Sequence, residues 1–106
     1  MANTYVNAKK DLTATSVTTL YTCSAGTTGI VKSILVSEYS GNADTITVTL
    51  TNGSTVFSLF KVKAVGANTT IELLTAPLVV QTTEILKVTA AIANRLHVVA
   101  SILEVT

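Results

Sequence analysis

The sequence predicts an all-β fold: a single antiparallel β-sandwich of about eight strands, jelly-roll-like or immunoglobulin-like. Three observations predict it. Ile46, Val48 and Leu50 alternate with Thr45, Thr47, Thr49 and Thr51, the period of a strand with one face buried. Asn52 and Gly53 then turn the chain tightly back into Val56 and Phe57, as a hairpin requires. Turn-forming residues recur at intervals of roughly 8–12 residues along the chain, the spacing of a sandwich or barrel. A chain of 106 residues is the length of one domain. A domain of that size hides roughly two-thirds of the surface its unfolded chain exposes, enough for one core.

Each element follows from its own residues. Residues 1–10 are polar and read as an N-terminal arm, leaving 11–106 as the single sandwich domain. Asp11 to Thr22 is threonine-rich and extended, with a break near Thr15 and Ser16, and Ser24 to Gly29 is a turn. Ile30 to Tyr39 reads as a strand with Ile30, Ile34 and Val36 on one face and Val31 and Leu35 on the other. Ser40 to Asp44 turns by composition. The return strand of the hairpin shows Phe57 and Leu59 on one face and Val56, Phe60 and Val62 on the other. Gly66 to Asn68 turns again, and Thr69 to Leu74 is a short strand. Leu78 to Val80 is an apolar run after Pro77, which suits a strand start or a sheet edge. Residues 84–93 carry Ala90, Ala91 and Ala93, a mild helical signal, but β-branched neighbours and short length favour a strand. Arg95 to Val105 closes the chain.

The closing strand is apolar on both sides. Leu96, Val98, Ala100 and Ile102 form one face, and Val99, Leu103 and Val105 form much of the other. An antiparallel strand of this kind is covered on both sides. In a two-layer sandwich the second cover is often another subunit. Segments 30–36 and 56–62 show the same doubling. The expected interface is Tyr5, Val6, Leu96, Val98, Val99, Ile102, Leu103 and Val105. The alternative is a barrel or end-closed sandwich whose own loops cover these faces.

Charge points the same way. Charged residues are 12% of the chain, about half the usual ~25%. Threonine, serine and asparagine fill the deficit, and they oppose association weakly. The net charge is +1. Lys9 with Lys10, and Lys61 with Lys63, are the densest basic spots, and neither makes a phosphate-binding patch, which argues against nucleic acid. No apolar h-region opens the chain, so no signal peptide is read there. No apolar run approaches the ~20 residues of a membrane span. The expectation is a protein made in the cytoplasm, without a membrane partner.

Chemistry is sparse. Cys23 is the single cysteine, which excludes an intrachain disulfide and a two-cysteine metal site and reads as a small buried hydrophobe. His97 is the single histidine, and its strand register sets it beside Val99 and Ser101 with no activated nucleophile or acid in view. Asp11, Glu38, Asp44, Glu72, Glu84 and Glu104 are singly spaced, like solubilising groups at strand ends, although a fold can still pair two of them. No glycine pattern cradles phosphate. Tyr5, Tyr21 and Tyr39 are the only amphipathic aromatics and there is no tryptophan, which weakens a lectin reading. The expectation is a protein without enzymatic activity, catalytic residues, metal, cofactor or small-molecule substrate.

Four segments, in order, resemble a family of small virion proteins of tailed phages, especially phages of aquatic bacteria such as cyanobacteria. The first runs from Met1 through Tyr5, Asn7 and Ala8 to Asp11, Leu12 and Thr13. The second is Thr18 to Thr22 followed by Gly29 to Ile34. The third is Glu72 to Leu74 with Pro77 to Val79, and the last is Ile85 to Ala90 leading to Val98 to Val105. Together they span nearly the whole chain. The resemblance implies a β-sandwich assembly component, such as a capsid decoration (cement) subunit or a part associated with tail, neck or fibre. The expected reading is a homotrimeric decoration protein on the capsid exterior whose partners are itself and the phage major capsid protein. The alternatives are a tail, neck or fibre-associated component and a carbohydrate-binding β-sandwich for host attachment.

Overall fold

Alternation and turn chemistry resolve into nine strands in the computed structural model, which describes residues 2–106. They are β1 (Asn3–Asp11), β2 (Thr18–Thr22), β3 (Thr28–Glu38), β4 (Asp44–Thr51), β5 (Val56–Val65), β6 (Thr70–Glu72), β7 (Leu78–Val80), β8 (Ile85–Ala90) and β9 (Leu96–Val105). The pairing is nested and antiparallel: β1 with β9, β2 with β8, β3 with β6 and β7, and β4 with β5. The chain is therefore one long hairpin rolled up. Two further ladders, β3 with β9 and β4 with β8, close the roll into two sheets. The first sheet runs β1-β9-β3-β6, with β7 beside β6 on the same flank of β3, and the second runs β2-β8-β4-β5. This order is a jelly roll, with β6 and β7 sharing one of its eight strand positions. Residues 85–90, weighed against a helix, are strand.

The core lies between the sheets. Val31, Ile34 and Val36 of β3 and Leu96, Val98, Ala100 and Ile102 of β9 face Ile46 and Val48 of β4 and Leu86 and Val88 of β8, all essentially solvent-free. Each such valine, leucine or isoleucine side chain contributes about 1.5–3 kcal/mol relative to exposure. Cys23 is buried among them, its thiol donating to the Thr27 carbonyl oxygen at 3.2 Å.

Three strands depart from simple alternation: in β2 a register shift between Thr19 and Tyr21 leaves Leu20 and Tyr21 both buried, and β3 and β5 are irregular as well. In β3 the register with β9 shifts between Val31 and Ser33, so Lys32 is an extra residue. That bulge puts Val31 on the core face with Ile34 and Val36, and turns Ile30 outward with Leu35, correcting the faces expected for 30–36. Glu72 of β6 fastens the bulge, accepting from the Ser33 hydroxyl and, at 2.8 Å, from the Ile34 amide. In β5 the register with β4 shifts twice, setting both Phe57 and Phe60 opposite core-facing residues, Leu50 and Val48. The expected split of those two phenylalanines between faces is corrected in the same way. The hairpin loop is also wider than a tight turn: it spans 52–55, with the Asn52 side chain accepting from the amides of Ser54 and Thr55.

Buried acids organise the loops at one end. Glu38, at the end of β3, is 3% exposed and accepts from the amides of Ser40, Gly41 and Asn68 and from the Ser40 hydroxyl. It thereby ties the loop after β3 to the loop after β5. Burial pushes its carboxyl up, but the hydrogen bonds from Ser40, Asn68 and Gly41 outweigh burial and bring it down to about 2.

Candidate interaction surface

The outward faces of the two sheets differ. On the second sheet, register puts Thr45, Thr47, Thr49, Lys87 and Thr89 outward, a polar face suited to water. On the first sheet, register lays the outward residues of β1, β9, β3 and the β6/β7 flank in rows. One row is Tyr5, Leu103, Ile30 and Val79, and the next is Asn7, Ser101 and Ser33. The third is Lys9, Val99, Leu35 and Glu72, and the fourth is Asp11, His97, Ser37 and Thr70. Tyr5 is 76% exposed, Val79 50%, Leu35 40% and Val99 37%. Two apolar bands thus cross an uncovered sheet face, the kind of patch that marks an interaction site.

The eight residues expected at an interface divide between the two sides of this sheet. Leu96, Val98 and Ile102 are in the core, covered by the domain's own second sheet, so their apolarity is answered inside the chain. Val6 also points inward and packs against the core. Tyr5, Val99, Leu103 and Val105 lie on the outward face, the last two half-buried there. Ile30, Leu35 and Val79 share that face and were absent from the expected set. The first two were hidden by the bulge at Lys32, which reverses the alternation. The alternative of loops closing over the outward face does not hold for Tyr5, Leu35 and Val79. The segment 1–10, expected as an arm, forms strand β1 from Asn3 onward, paired along its length with β9; Met1 lies outside the described residues.

Polar groups frame the bands. Glu72 remains charged: burial raises its carboxyl, but the hydrogen bonds from the Ser33 hydroxyl and the Ile34, Leu74 and Leu73 amides hold it below the ordinary carboxylate range. Lys9 donates to the Asn7 side-chain oxygen at 2.9 Å. At the far end His97 approaches Asp11, Nε2 to Oδ1 at 3.3 Å, and its ring stacks on Tyr39 with centroids 4.0 Å apart. Desolvation and the nearby Asp11 charge hold the Tyr39 hydroxyl above its usual range. A sequence reading gave His97 no partner because Asp11 reaches it only through the β1–β9 ladder. Between the apolar rows, Tyr5, Asn7, Lys32 and Ser101 line a shallow depression at the bulge.

A second apolar region sits at the open edge of the sandwich. Val56 and Phe57 of edge strand β5 are exposed, and Leu59, Phe60, Leu73, Leu74 and Leu78 line a groove between that edge and the chain running from β6 to β7.

No family model matches the chain, and no curated protein matches it. A solved structure of a pentameric capsid protein isolated from metagenomic phage sequences is similar, at 17% identity and a TM-score of 0.49, over 93% of this chain and 58% of that one. The chain spans 58% of that protein's length.

Proposed function

We propose that this protein is a structural subunit of a phage virion, a capsid decoration protein that self-associates and binds the assembled shell. The uncovered apolar face of the first sheet carries this reading. A face bearing Tyr5, Leu35, Val79 and Val99 opposite a threonine-rich face is built for contact on one side and water on the other. The segments that resemble small phage virion proteins supply the setting. The apolar β5 edge and its groove offer a separate surface for the major capsid protein, leaving the sheet face for copies of the chain. The work is done by buried area, and the reading assigns no enzymatic step. A jelly roll by itself hosts many functions and does not choose among them.

Two measurements test the proposal. Light scattering gives absolute mass: a multiple of the 11.0 kDa chain supports self-association, two copies fitting a closed pair and three copies a trimer at three-fold junctions. Co-sedimentation with assembled shells, but not with free capsid subunits, supports decoration. Hundreds of copies per particle, as against tens or fewer, separate decoration from a tail component. The depression beside Tyr5, with Asn7, Lys32 and Ser101 as polar groups, favours host-glycan attachment as the second reading. A glycan array with specific hits and no shell binding would replace the first reading with that one.

A further inference from the structure

We infer that the outward face of the first sheet pairs with the same face of a second copy, about a two-fold axis parallel to the strands and running between β9 and β3. The inference rests on the self-association reading and specifies its geometry. Such an axis exchanges the two flanks of the sheet at constant height. It lays β1 over the β6/β7 flank of the other copy and β9 over β3. Each row then meets itself reversed.

The rows match under that exchange. Tyr5 lies over Val79 of the second copy, and Val99 over Leu35 of the second copy. Lys9 lies over Glu72 of the second copy, an attractive pair formed twice. Turning the axis to run across the strands fails the same comparison, because it inverts the heights. The Tyr5 row would then cover the row of Asp11 and His97, apolar on polar, and no charge complement would form. Four strands spaced about 4.8 Å and five residue pairs along each give a face on the order of 600 Å². Two such faces bury about 1,200 Å², the lower bound of stable interfaces. The pairing is therefore concentration-dependent rather than obligate.

Charge exchange tests the geometry. Lys9→Glu alone and Glu72→Lys alone each create two repulsive pairs, and each is expected to weaken pairing at least about tenfold. Mixing the two variants restores both attractions, so the mixture is expected to be heavier than either variant alone. Because Glu72 also fastens the bulge in β3, a second pair of variants avoids it. Tyr5→Cys and Val79→Cys are expected to form a disulfide-linked dimer under mild oxidation when mixed, and not when separate. Cys23 is buried and does not compete. An oligomeric mass with no mixed cross-link overturns this geometry and leaves self-association standing. A mass of one chain at every concentration overturns both.

Discussion

The Tyr21 hydroxyl donates to a Glu104 carboxylate oxygen at 2.6 Å, and through that bond β2 of one sheet holds β9 of the other. Burial and the adjoining Glu104 keep the hydroxyl protonated far above the usual phenol range, so it remains a donor through neutral and alkaline pH. The ring reaches Glu104 only because Gly29 leaves room. A Cβ at position 29 would stand 2.9 Å from Cε2 and from the hydroxyl oxygen of Tyr21. Gly29→Ala must therefore displace a ring that is 8% exposed and hydrogen-bonded. The expected loss is about 1–3 kcal/mol from overpacking. Tyr21→Phe, which keeps the ring and removes the bond to a carboxylate, should lose about 1.5–3 kcal/mol. Urea unfolding of both variants checks both losses; a Gly29→Ala chain as stable as the parent would show that the ring is free to move.

Acid sensitivity should track Glu38. Its carboxyl titrates at about 2 in the folded chain against 4.5 when unperturbed, so folding favours the charged form. A depressed folded value contributes stability that is fully present above the unfolded value and is lost as pH falls through the folded one. The parent should therefore weaken between pH 4.5 and about 2. Glu72, lowered in the same direction, adds to the same slope. Glu38→Gln should be less stable than the parent at neutral pH and lose less on acidification, because a Gln amide has no charge to neutralise. Thermal melts across that window are the measurement. Parallel pH profiles for the two chains would remove Glu38 as the loop clamp.

Val62 holds a φ of +52°, a left-handed conformation that a β-branched residue rarely adopts. It sits at the second register shift of β5, its amide donating to the Thr47 hydroxyl at 3.0 Å, and its side chain is exposed. Strain of this kind costs about 1–3 kcal/mol. Glycine relieves it while adding about 0.5–1 kcal/mol of chain entropy to lose. Val62→Gly should therefore stabilise the domain by about 1 kcal/mol, which moves Tm upward by about 4–8 °C. A lower Tm would mean that the valine side chain contributes more than its exposure suggests.

Alternation made β4 legible from sequence, because every second residue from Ile46 to Leu50 is apolar and no bulge intervenes. The faces of β3 and β5 were not legible. Extra residues at Lys32 in β3 and at Leu59 in β5 reverse the period, and residue type alone does not announce either. The anchor of the first bulge, Glu72, arrives from another strand. The doubled apolarity of β9 was visible, but period two cannot say which side meets the core. Leu96, Val98 and Ile102 proved to be the inner side, and Val99 with Leu103 the outer. The partners of that outer side, Leu35 and Val79, come from β3 and β7, so the patch exists only once the ladders form.

Placing one charge on each outer face tests which face associates. Val99 lies in the third row of the first sheet, between Lys9 and Leu35. Val99→Lys leaves the core untouched and puts an unpaired ammonium among apolar neighbours wherever another copy covers the row. Association should weaken at least about tenfold, while unfolding free energy shifts by no more than ~0.5 kcal/mol, as for a surface position. Thr89→Lys makes the corresponding change on the second sheet, in the threonine-rich face of central strand β8. That variant should associate like the parent, because this face already suits water. Sedimentation of the three chains at matched concentrations decides the matter. Equal masses for the parent and Val99→Lys would move the contact elsewhere, and the open edge at Phe57 would be the next surface to charge.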